Sequence, residues 1–124
     1  MPEVVAAADI GVAPYDPSHL AQLQLGFYWS PLKIFEYMAS GLPTVTIPRP
    51  PLTEIVRDGQ EGLFFREGDD ADLAERLVTL AEEATLRVRL GRSARERVVA
   101  RYSWAVHCAQ VEAVLERVVR EARA

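Results

Sequence analysis

An α/β fold built on a short parallel sheet is predicted by three features of the sequence. Short apolar, β-branched runs alternate with helix-period segments, each helical segment has recognisable start and stop residues, and everything beyond about residue 70 reads as helix. Strands separated by helices imply parallel pairing through right-handed crossovers, with helices covering the faces of the sheet.

The elements follow in order. Residues 3–8 read as the end of a helix with Pro2 in its first turn, and residues 10–13 as a buried strand stopped by Pro14. Residues 15–29 contain Pro17, Ser18 and Gly26 and show no clean period. In a compact domain a segment of that length is more often functional than merely connecting. Ser30 is a good N-cap with Pro31 at the first helical position, and the helix then runs through Leu32, Phe35 and Ala39 to a stop at Gly41. Residues 44–47, bounded by Pro43 and Pro48, form a second strand, and residues 52–56 about one helical turn. After a turn at Asp58-Gly59, residues 62–65 make a third strand. Asp69 or Asp70 caps a helix carrying Leu73, Leu77 and Leu80; Leu86, Leu90, Ala94 and Val98 mark another; Ser103 caps a last one with Val111, Val114, Leu115 and Val118. Three strands that begin with the tail of a helix look like the second half of a doubly wound, Rossmann-like sheet. Residues 1–124 are therefore expected to be part of a domain, truncated at its start, with the strand at 10–13 as an open edge.

Composition narrows the classes. With 124 residues, 49% of them hydrophobic and 26% charged, the chain suits one globular domain rather than a disordered segment. Its apolar runs fall far short of the roughly 20 residues of a spanning helix, although a peripheral membrane contact stays compatible with it. A formal charge of -4 gives no electrostatic reason for nucleic-acid binding. The N-terminus lacks the basic and apolar regions of a secretory signal, and Cys108 is the single cysteine, so a reducing, cytoplasmic setting is expected.

In open α/β sheets ligands gather beyond the carboxyl ends of the strands, which makes 14–30, 48–54 and 66–69 the candidate regions and predicts that they converge. The helix start at Ser30 offers backbone amides and a positive dipole end to a phosphate or diphosphate. Lys33, the one lysine among 14 basic residues, lies in that first turn, where a cation opposes the dipole unless an anion is near. It reads equally as a solvated surface lysine. Glu36, one turn on, could accept two hydrogen bonds from a ribose diol or could simply be an exposed helix glutamate. Asp70 and Asp72 have a metal-motif spacing but read as first-turn caps. Arg87, Arg89, Arg92 and Arg95 read as a solvated face, Cys108 as a small packed thiol and His107 as partly exposed, while His19, in the loop after the first strand, reads as a surface residue that could also approach a ligand.

The segments ADIGVAPY at 8–15, SPLKIFEYMASGLP at 30–43, EIVRDG at 54–59, EGL at 61–63 and YSW at 102–104 together resemble the retaining family-4 GT-B glycosyltransferases (glycosyl transferases group 1) over nearly the whole chain. The resemblance implies a C-terminal nucleotide-sugar-binding domain whose parent enzyme transfers a sugar to an acceptor hydroxyl with retention. It implies no cofactor, the nucleotide sugar being a substrate, and no metal is expected because the helix start and cations answer the diphosphate charge and the acidic pair reads as a cap. In that family two glutamates with seven residues between them mark the donor site. Glu36 matches the second, which binds ribose; the first would fall at Tyr28, so the sugar contact is altered. Trp29, Ser30, Pro31 and Leu32, with Lys33, match the part that holds the diphosphate. The principal catalytic cations and the acceptor site are expected in a missing N-terminal portion, so that the catalytic residues here are unknown and the isolated chain is expected to be inactive. Two other readings stay open: an epimerase or phosphorylase on the same scaffold, and a non-catalytic nucleotide-binding or interaction module.

Overall fold

The computed structural model describes residues 2–26 and 30–124. Three parallel strands form the sheet, β1 (Gly11–Ala13), β2 (Thr44–Thr46) and β3 (Gly62–Phe64), in the order β1-β2-β3. Gly11 pairs with Thr44 and Thr44 with Gly62, and the register holds along both ladders. Each strand is short because prolines or turns bound it, as the sequence predicts, and β2 is buried at all three positions because it is covered on both sides. β1 lies at one edge.

Helix α1 (Pro2–Ala6) leads into β1, and α2 (Ala21–Gln24) is a single turn inside the long loop that follows it. α3 (Leu32–Ala39) crosses from β1 to β2, and α4 (Leu52–Ile55) from β2 towards β3. Beyond the sheet come α5 (Asp70–Glu82), α6 (Ala84–Arg101) and α7 (Trp104–Arg123). The core draws Ile34 and Met38 from α3, Val45 from β2, Leu52 from α4, Leu80 from α5 and Leu90, Ala94 and Val98 from α6, so the helical period in the sequence does mark the buried stripes.

α6 approaches α3 closely where Gly91 meets the turn after α3. A Cβ at Gly91 would overlap the carbonyl of Gly41, which itself has φ +73 and ends the helix in the left-handed conformation glycine favours. Asp69 caps α5 by accepting from the Asp72 amide at 2.9 Å, and Ser103 caps α7 by accepting from the Val106 amide at 3.4 Å.

Three expectations need correction. Ser30 is not the cap of α3: Pro31 takes that place with φ -78 and ψ 66, no side chain caps the helix, and the first helical residue is Leu32. Of the four arginines expected to fan into solvent from α6, Arg89, Arg92 and Arg95 are exposed, but Arg87, Arg89 and Arg95 are also bonded to the fold. Arg87 donates to the carbonyls of Leu80 and Ala81, Arg89 to Gly59 and Arg95 to Ala39, so their heads tie turns and helix ends to the fold while their stems lie along its surface. Cys108 is not packed but exposed, because α7 has no buried residue.

Candidate functional site

The three loops at the carboxyl ends of the strands do converge, and Arg49 is where they meet. It follows β2, donates through Nε and Nη2 to both oxygens of Glu67 in the loop after β3 (2.6 and 3.1 Å), and donates through Nη1 to the carbonyl of Leu23 in the loop after β1 (3.1 Å). The bidentate pair holds the Arg49 guanidinium above its ordinary pKa, chiefly through the hydrogen bonds to Glu67. Leu23 is itself fully buried, so the middle of the long loop is anchored from within and from the side.

Nearer β1, Tyr15 is buried, and its phenol is pushed upward by burial and then by the neighbouring Tyr37. The ammonium of Lys33 stands 5.4 Å from the Tyr15 ring centroid, a cation–π distance. The single lysine is thus fixed between the start of α3 and the end of β1. In the same loop Asp16 accepts from the Ser18 hydroxyl (2.6 Å) and amide (2.8 Å) and contacts His19 Nδ1 at 2.6 Å, which holds its carboxyl at about 2, the Ser18 hydroxyl contributing most. His19 is exposed and serves this turn, in agreement with a surface role.

At the start of α3 the amide of Leu32 donates to the Ser30 carbonyl and that of Ile34 to the Pro31 carbonyl, both at 2.9 Å. Those two donors are engaged, so an anion at this helix end would depend on Lys33 more than a freely capped helix start would require. Two adjoining hollows, of about 370 and 340 Å³, run beside α3 toward the corner between α6 and α7. Ser30 and Leu32 border the first, and Glu36 joins Leu32 at the second. Their floor is aromatic: the rings of Phe35 and Tyr102 lie 5.1 Å apart, and the Tyr102 hydroxyl donates to the Glu54 carbonyl at 3.1 Å. Glu36 is exposed along this groove, Lys33 faces Tyr15 instead, and Pro31 is buried beneath. Tyr28 and Trp29 lie outside the described residues.

Asp72 is taken up by structure. It is buried, accepts from the Arg66 amide (2.8 Å) and pairs with Arg76 (3.1 Å), and the Arg66 amide is the leading reason its carboxyl sits below its ordinary value. Among the described residues no group of histidine, cysteine, aspartate and glutamate is arranged to hold a metal. Arg49 and Glu61 were missed in the sequence. Glu61 has no solvent exposure and accepts from the amide and guanidinium of Arg57 and from Ser93, pinning the turn before β3 to α6. The EGL segment at 61–63 contained it, but its one signal for this role was the charge four residues after Arg57, a spacing that on the surface means little.

In open parallel α/β sheets ligands gather beyond the carboxyl ends of the strands, the end at which Arg49 and Lys33 stand. The model of the family described as glycosyl transferases group 1 matches residues 1–83, and the chain belongs to that family. It is 36% identical over 85 residues to a phosphatidyl-myo-inositol mannosyltransferase of Mycobacterium leprae, a match that takes in 68% of this chain and 22% of that protein. Among solved structures, sucrose-phosphate synthase from Thermosynechococcus elongatus superposes with a TM-score of 0.78 at 22% identity, over 95% of this chain and 27% of that one. Anabaena HepE, solved in complex with UDP-glucose, superposes with a TM-score of 0.77 at 19% identity, over 94% and 29%. The chain therefore spans under a third of the length of each, and its fold is that of the C-terminal domain of GT-B glycosyltransferases.

Proposed function

We propose that this chain supplies the donor half of a retaining family-4 glycosyltransferase: it holds a nucleoside diphosphate sugar while the rest of the catalytic apparatus, including the acceptor site, lies in a further portion of the enzyme. The observation that carries the reading is Lys33, fixed over Tyr15 at the start of α3, with Glu36 one turn further along the same helix. Lys33 meets the diphosphate and Glu36 the ribose diol, with Ser30, Pro31 and Leu32 shaping the approach and Tyr28 and Trp29 completing it. The family match and the UDP-glucose bound by HepE support a nucleotide sugar as the ligand class. The developing charge in transfer falls on the leaving diphosphate, so a positioned cation and helix dipole stabilise the transition state without a metal or cofactor. The single cysteine, exposed, fits a reducing cytoplasm.

Calorimetric titration of the chain with UDP-, GDP- and ADP-sugars, with and without chelator, tests the proposal. One nucleotide sugar should bind with equal affinity in both buffers. Binding abolished by chelation and restored by magnesium or manganese would overturn the metal-free mechanism, and no binding of any of them would overturn the donor assignment.

A further inference from the structure

We propose that Arg49 is a positioning residue for the donor site, clamping the described part of the loop after β1, whose Tyr15 stands against Lys33, in place beside the nucleotide; this rests on the donor-binding reading above. One guanidinium makes three hydrogen bonds to two partners. Nε and Nη2 take both carboxylate oxygens of Glu67, and Nη1 takes the carbonyl of Leu23. Those partners belong to the loops after β3 and β1, while Arg49 belongs to the loop after β2, so all three carboxyl-end loops share one planar group.

Leu23 lies in α2, the one helical element in the described part of the segment between β1 and α3. The turn is held weakly by its own means. It is four residues long, no side chain caps it, and the Gln24 amide reaches the Pro17 carbonyl only at 3.4 Å. Beside the burial of the Leu23 side chain, the Arg49 bond ties it to the loop after β2. Arg49 is poorly free to move, standing between Pro48 and Pro50 with its own amide donating to the Ile47 carbonyl at 2.9 Å. A lysine at this position would keep the ion pair with Glu67 but lose the fork, because one ammonium cannot present fixed coplanar donors to a carboxylate and a carbonyl on opposite sides. The guanidinium is engaged by Glu67 and Leu23, so its action on a nucleotide is through the loop.

The test compares the whole chain with Arg49→Lys, Arg49→Ala and Glu67→Gln. Affinity for whichever of UDP-, GDP- or ADP-glucose the parent chain binds best is measured beside melting temperature and amide exchange at Leu23 and Gly26. The expected result is roughly tenfold weaker nucleotide binding in both Arg49 variants, the cost of displacing a site by a fraction of an ångström to an ångström. Exchange at Leu23 and Gly26 should be faster while the amides of β2 stay protected, and Arg49→Ala combined with Glu67→Gln should bind no more weakly than Arg49→Ala alone. Unchanged affinity in Arg49→Lys and Arg49→Ala would overturn the positioning role, as would a loss of affinity matched by loss of protection throughout the sheet. A parent chain that binds none of the nucleotides would instead sink the donor reading, and the positioning role with it, with the exchange pattern still reporting the clamp.

Discussion

A carboxylate without solvent contact persists in a fold only when its charge is answered, and Glu61 shows how. Burial pushes its pKa up, but the hydrogen bonds from the Arg57 guanidinium and amide outweigh that and, with the charge of Arg97, hold it below its ordinary value of 4.5. A depressed carboxylate contributes stability that is complete above its unfolded pKa and is lost as the pH falls through the folded one. Chemical denaturation of the chain between neutral pH and pH 3 should therefore show a decline below about pH 4.5 that Glu61→Gln flattens. At neutral pH the variant should be less stable by about 1–3 kcal/mol, nearer the lower figure because Arg57 is half exposed and can return to water. An acid limb with the parent's slope in the variant would remove Glu61 from the account. Glu36 poses the opposite case, an exposed carboxylate that stabilises nothing in the described fold. Glu36→Gln should leave the melting temperature within a degree or so and weaken nucleotide-sugar binding by about 1.5–3 kcal/mol, read by titration; equal affinity would take Glu36 out of the site. The helix that carries Lys33 and Glu36 was legible in the sequence from its apolar spacing and its glycine stop. Arg49, Arg57 and Arg97 were not, since each reaches a carbonyl or carboxylate that only the folded chain brings near, and an arginine destined for such a partner looks like any surface arginine.

Elements were easier to read than residues because their signals are local. Proline and glycine punctuation placed all three strands, and the leucine spacing placed α5 and α6, with boundaries off by a residue or two. The start of α3 was misjudged by one position, since a Ser-Pro pair satisfies the capping rule but the backbone at Pro31 is not helical. The one-turn helix α2 gave no sequence signal, being too short for a period to show. Packing between elements was invisible for another reason. Gly91 sits inside a helix where its own propensity disfavours it, and only the carbonyl of Gly41 against its Cα explains the choice. Alanine there would improve helix propensity by about 1 kcal/mol, yet its methyl must displace backbone between α3 and α6. The clash should win, so Gly91→Ala is expected to lower stability by about 1–3 kcal/mol in denaturant titration. A stabilised variant would mean that the two helices are free to part.

At the scale of the molecule, one strand edge and one apolar helix stripe stand out among the described residues. β1 is an edge strand with one ladder neighbour, and α7 carries Trp104 at 80% exposure with Val111, Leu115 and Val118 between 44% and 60%. Among the 20 residues of α7 none is buried, although their spacing draws an apolar stripe along one side and the helix has its own N-cap. Edge strands and continuous apolar stripes are the features that drive association, and here both lie on one chain. Light scattering over a range of concentrations should therefore show the chain associating, with the mass falling toward that of a monomer on dilution. Replacing Val111 and Leu115 by glutamate separates the two surfaces, because it charges the stripe without touching the sheet. If α7 is responsible, the double variant should be monomeric at concentrations where the parent is not, and nucleotide binding should be unchanged, since neither residue borders the hollows beside α3. Persistent association of the variant would assign the effect to β1, where a charge at Val12 is the corresponding change. A parent chain that stays monomeric throughout would show that neither surface is sticky enough to bring two copies together.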